Sequence, residues 1–185
     1  MKRKLRFSFL LFFGLHAFSQ SVYHTDFNYF WQTVKDNYAY FSRQHTDWNR
    51  AKDIYGPMAD TCTSRESFIH ILEQALNELY NGHNFLNTNT PSSNRLVPSG
   101  ADLKLVYRNG TFLIDELREG FNAEQCGLKK GMEVVRYNDE PVKEAIKKYL
   151  PRSVGVYDTK MIEYAANMLL AGTHAIPFVE REHLL

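Results

Sequence analysis

The spacing of apolar residues changes across Thr88–Gly100, and this change constrains the fold more than any other feature of the chain. Upstream, large side chains recur every three or four residues, the repeat that lines one face of a helix. Downstream they alternate, as in a strand with one buried face. One regular element cannot satisfy both periods. The segment between is rich in Asn, Thr, Ser and Pro and poor in bulky apolar groups, as a linker or surface loop is. The pattern predicts an α+β protein: a three-helix N-terminal region, a small antiparallel β domain and a C-terminal helix.

The first helix is expected from Thr25 to Phe41, where Phe27, Phe30, Trp31, Val34, Tyr38 and Phe41 share a face. This aromatic stripe is read as core rather than as a ligand surface. Asp47 can cap a second helix by accepting from free backbone N–H groups, and Trp48, Ala51, Ile54 and Tyr55 continue its apolar side. Gly56-Pro57 is expected to weaken or end it, because proline has no N–H to donate. A third helix starts at a capping box of Thr63 and Glu66 and buries Phe68, Ile69, Leu72, Leu76, Leu79 and Tyr80. Asn81-Gly82 closes that helix, since both residue types tolerate a left-handed backbone, and His83 is the first side chain presented beyond its end.

In the β part, Leu103, Leu105 and Tyr107 alternate before Arg108-Asn109-Gly110, and Phe112 and Ile114 alternate after it, the signature of a hairpin. Ala123–Leu128 predicts a short helix closed by Gly127, Glu133–Tyr137 a strand and Val142–Leu150 a helix. From Asp158 to Leu170, Met161, Ile162, Ala165, Met168 and Leu169 mark the final helix, and Phe178-Val179 is read as the start of a further strand.

Composition narrows the function. The 185 residues carry a formal charge of +1 with no clustered basic face, so no nucleic-acid partner is expected. No Cys/His spacing fits a zinc site, and neither a metal nor another cofactor is expected. Cys62 and Cys126 fall in separate modules and are read as isolated small apolar residues, although an oxidising compartment would permit a disulfide. Lys2, Arg3, Lys4 and Arg6 precede an apolar run from Phe7 to Phe18, with Ala17-Phe18-Ser19-Gln20 at its end. Residues 1–20 are therefore expected to form a secretory signal peptide, with a retained membrane anchor as the alternative; both place the rest outside the cytoplasm, periplasmic or secreted.

Two stretches carry a family resemblance. Phe27–Leu86, with Asp47-Trp48 and Leu79-Tyr80-Asn81-Gly82-His83, resembles the helical N-terminal region of C-terminal processing (tail-specific) serine peptidases, and above all the branch related to the tricorn core. That branch tends to carry Asp-Gly-His-Thr where this chain has Asn81-Gly82-His83-Asn84. Ala123–Val142, with Ala-Glu-Gln-Cys-Gly-Leu followed by Lys-Lys-Gly and Tyr-Asn-Asp-Glu-Pro-Val, looks like the PDZ domain of the same enzymes. The resemblance implies residues 21–90 as a helical domain, 100–150 as a PDZ-like domain and 151–185 as the start of a truncated peptidase domain.

The function implied is that of a secreted serine endopeptidase, with this chain holding the parts that bind polypeptide. A PDZ-like unit takes an extended peptide or a protein C-terminus as an added strand; here Gly100, Ala101, Leu103 and Leu105 are the candidate contacts. Asp102 would oppose a carboxylate placed close by. The resemblance makes His83 the candidate catalytic residue, a general base for the serine nucleophile, as in the tricorn-like branch; the processing branch uses a Ser-Lys pair instead. After Val142 the only serine is Ser153, in a Pro-Arg-Ser loop without a nucleophile elbow. The chain is thus expected to be inactive alone, with an exported, non-catalytic peptide-binding adaptor as the alternative, and a separate catalytic chain as the partner in a third arrangement.

Overall fold

The computed structural model describes residues 22–97 and 99–171. The leader at residues 1–20 and the strand expected at Phe178-Val179 lie outside them. Among the described residues no helix is long and apolar enough to cross a membrane.

The architecture is α+β, as the change of period predicts. Helix α1 (Val22–Asn37) leads through a 3-10 turn at Phe41–Arg43 to α2 (Trp48–Asp60) and α3 (Arg65–Asn77). The aromatic stripe is core: Phe27, Trp31, Trp48, Tyr55 and Phe68 are buried together with Leu76 and Leu79. Two tryptophans lock α1 to α2. The Trp31 indole N–H donates to the Trp48 carbonyl at 2.8 Å, and the Trp48 indole N–H donates to the Trp31 carbonyl at 3.0 Å. Each ring thereby loses its one polar atom to a partner while its body joins the core.

Three local expectations need correction. Helix α1 ends at Asn37, four residues short of Phe41, which instead opens the 3-10 turn. Pro57 does not end α2: the ring faces solvent, Ala59 beyond it is fully buried, and Thr61 caps the end by donating its hydroxyl to the Pro57 carbonyl at 3.1 Å. Burial of the next turn outweighs one missing backbone donor. The cap of α3 is Ser64, whose hydroxyl accepts from the Ser67 N–H at 3.2 Å, so the Thr63–Glu66 box does not form. Asp47 caps α2 as expected, accepting from the Arg50 N–H at 2.9 Å.

Residues after α3 are irregular but anchored. Thr90 and Ser93 are buried, and the Ser93 hydroxyl donates to Glu73 at 2.5 Å. Burial raises the Glu73 carboxyl above its ordinary pKa against the lowering effect of that bond.

Strands β1 (Leu103–Arg108) and β2 (Thr111–Leu117) form the expected antiparallel hairpin, with a register shift between Lys104 and Leu105. Asn109 and Gly110 both have positive φ, +50° and +83°, the geometry that lets a two-residue turn follow strand twist. On its other edge β2 bonds the Gly131–Val134 segment: the Ile114 N–H donates to the Met132 carbonyl and the Val134 N–H to the Phe112 carbonyl, both at 2.9 Å. Helix α4 (Asn122–Gln125) precedes this segment; β3 (Arg136–Tyr137), β4 (Glu140–Pro141) and α5 (Val142–Ala145) follow it. A 3-10 turn at Ile146–Tyr149 then leads toward α6 (Thr159–Ala171).

Helix α6 completes the second core. Ala165, Ala166 and Leu169 pack on Leu105, Phe112, Ile114, Val142 and Ile146. Alanines at the contact let the helix axis come close to the strands. Cys62 and Cys126 are both free thiols.

Candidate functional site

Strand β1 is an edge strand: β2 takes the backbone of alternate residues on one side, and Leu103, Leu105 and Tyr107 point their backbone polar groups away from it. A row that no neighbouring strand pairs is what strand addition uses. A groove of about 620 Å³ lies along the first half of β1, between the end of β2 and the first turns of α6. Ala101, Leu103 and Leu105 line it, with Leu117 and Tyr164 adding apolar surface and Lys104, Arg118 and Glu163 charge. Gly100 is the neighbour of Ala101 in the loop that enters the groove.

Much of this edge is already bonded. The Ala101 N–H donates to the Ser99 hydroxyl at 3.1 Å, while on the side facing β2 the Arg118 N–H continues the ladder to the Asp102 carbonyl at 2.7 Å. At Leu105 the N–H donates to Oδ1 of Asn167 at 2.9 Å, while Nδ2 of Asn167 donates back to the Leu105 carbonyl at 2.9 Å. The Tyr107 N–H donates to a carboxylate oxygen of Glu163 at 2.8 Å. Lys104, largely exposed, is paired with Glu116 at 2.9 Å, and that bond raises its pKa.

His83 does not line the groove; it sits in a turn that follows α3. Its N–H donates to Oδ1 of Asn81 at 3.0 Å, the Asn84 N–H closes the turn on the Asn81 carbonyl at 3.0 Å, and Asn81 in turn donates to the Tyr38 hydroxyl at 3.1 Å. The left-handed residue after α3 is Tyr80, with φ +31°, rather than Asn81 or Gly82. Glycine at position 82 answers a different need: a Cβ there would sit 2.9 Å from Cβ of Leu96, too close for any side chain. The His83 side chain is exposed, and among the described residues its ring meets no hydrogen-bonding partner.

Ser153 is 2% exposed and its hydroxyl meets no partner, whereas its N–H donates to Glu78 at 2.8 Å. A serine without an adjacent base is a poor nucleophile. Glu78 itself is a buried junction. Besides Ser153 it accepts from the Arg152 N–H at 2.9 Å and from the Tyr55 hydroxyl at 2.6 Å, so three donors from two regions meet on one carboxyl group. Burial, then the neighbouring Glu78 charge, pushes the Tyr55 hydroxyl far above its ordinary pKa. Among the described residues no group of three His, Cys, Asp or Glu side chains could hold a metal ion.

Sequence reasoning passed over Glu78, Glu163 and Asn167. The last two had a signal: they lie four residues apart and interrupt the apolar pattern of the final helix, so they share a face that meets protein. Glu78 had none, since its donors are distant in sequence.

A helical layer followed by a β unit whose hairpin has an edge no strand pairs is the class that fold and groove define. Residues 20–77, which span α1 to α3, match the family described as the Tricorn protease C1 domain. That match supports a relationship of the helical region to tricorn-type, C-terminal-protease-like enzymes. No curated protein matches the chain.

Proposed function

We propose that this chain supplies the polypeptide-gripping part of an exported serine endopeptidase of the tricorn-like, C-terminal processing kind, and that it does not cleave peptide bonds alone. The observation that carries the proposal is the order of parts: a stretch matching the Tricorn protease C1 domain, followed in the same chain by an edge strand fronting a groove. Residues 100–150 act as the PDZ-like unit, and an extended polypeptide or a protein C-terminus lies along Ala101, Leu103 and Leu105. His83 is the general base in an assembly where a nucleophile reaches it, because its exposed imidazole sits on a hydrogen-bonded turn open to an incoming hydroxyl. Cleavage also needs a nucleophile and oxyanion donors aimed at developing charge, and the described residues bring no such set together. A separate catalytic chain is the partner that would complete it.

The test has two arms. The purified chain is expected to leave unstructured peptides uncut; robust hydrolysis lost in His83→Ala would overturn the non-cleaving reading. Calorimetry with peptides bearing apolar C-termini is expected to give weak binding, with Kd on the order of 0.1 mM. Flat titrations at millimolar peptide would remove the gripping role.

A further inference from the structure

We propose that α6 is a built-in occupant of the β1 edge, with Asn167 and Glu163 standing where the main chain of an incoming strand would bond, so that peptide binding beyond Leu103 requires these side chains to withdraw. The inference rests on the strand-addition reading above and concerns how that site is regulated.

In an antiparallel ladder, a hydrogen-bonded pair of residues exchanges two bonds, one N–H donated in each direction. Asn167 reproduces this exchange with its carboxamide: Oδ1 accepts from the Leu105 N–H and Nδ2 donates to the Leu105 carbonyl, each at 2.9 Å. The remaining Nδ2 proton donates to the Glu163 carbonyl at 2.8 Å, which fixes the carboxamide plane. Two residues further along the strand, on the same edge, the Glu163 carboxylate accepts from the Tyr107 N–H at 2.8 Å. A ligand strand would use these same positions, because alternate residues of β1 face outward. Generic protection of an edge needs only bulk or charge beside it. Here the occupant copies main-chain bonding at Leu105, next to a groove with room for a chain. Side chains held by hydrogen bonds can be exchanged for a ligand at small net cost, since the ligand remakes the bonds they release.

The experiment uses the full chain and a fluorescein-labelled octapeptide of alternating Thr and Val with a free C-terminal carboxylate. Asn167→Leu keeps the side-chain size and removes both bonds to Leu105. It is expected to speed amide exchange at Leu105 and to tighten peptide binding about tenfold, the factor carried by one or two net hydrogen bonds. If the unsubstituted chain binds and Asn167→Leu binds no better, or if Leu105 stays protected, the occupant role is wrong while the groove reading survives. If neither binds at millimolar peptide, both are wrong. Should Asn167→Leu not fold, the unsubstituted chain decides. Saturating peptide must shift the Asn167 side-chain amide resonances, and binding that leaves them in place overturns the proposal.

Discussion

The helical region and the β region bury apolar surface in different ways. Around α1, α2 and α3 the core is built from large rings, and the reciprocal Trp31–Trp48 bonds fix its geometry without help from elsewhere in the chain. Around β1 and β2 the buried side chains are mostly aliphatic, and a helix from farther along the sequence contributes three of them. The first region can be rigid from local packing. The second depends on α6, whose contacts with the strand edge are partly polar and exchangeable. Where a protein must admit a guest, the second kind of construction is the useful one.

Three substitutions would break or sharpen this contrast. Trp48→Ala removes a buried ring and a locking bond, and is expected to cost about 4 kcal/mol in urea unfolding. If the regions are coupled, amide protection in β1 falls with it; unchanged protection there would mean they unfold separately. Glu78→Ala leaves the Tyr55 hydroxyl and the Arg152 and Ser153 N–H groups without their acceptor and is expected to cost about 3 kcal/mol. It should also split a single transition, followed by tryptophan fluorescence and by hairpin amide exchange, into two. Coincident midpoints would show that Glu78 is not the coupler.

The smallest effect concerns pH. Burial raises the folded-state pKa of Glu73, so between the ordinary carboxyl value and the raised one the folded chain holds a proton that the unfolded chain has released. Stability therefore rises as pH falls through the raised pKa, and this gain levels off below the ordinary value. Glu73→Gln is expected to flatten that rise, by less than about 1 kcal/mol given partial exposure. A melting-temperature profile unchanged by Glu73→Gln would refute it.

Much of the fold was legible in the sequence, because it rests on periodicity and short-range chemistry. The aromatic stripe of α1, the Asp47 cap and the Asn109-Gly110 turn each announce themselves within a few residues. The errors were also local: Ser64 and Thr63 offer equivalent caps one residue apart, and Pro57 is tolerated only because of what Ala59 buries. The candidate site was less legible. Leu103 and Leu105 show as an alternating strand, but nothing near them says that Asn167 will meet that edge. Pairings over long sequence separations, such as Glu78 with Arg152 and Ser153, leave no periodic trace.

The grip of Glu78 on Arg152 and Ser153 has a mechanical consequence. Those two residues lie just ahead of α6, so the helix starts from a point moored to the helical layer. A guest strand that pries Asn167 away would find the helix unable to drift off; it would pivot about that mooring. The fulcrum touches Tyr55 in the other layer, so an arrival at the groove would be felt as a tug on the helices.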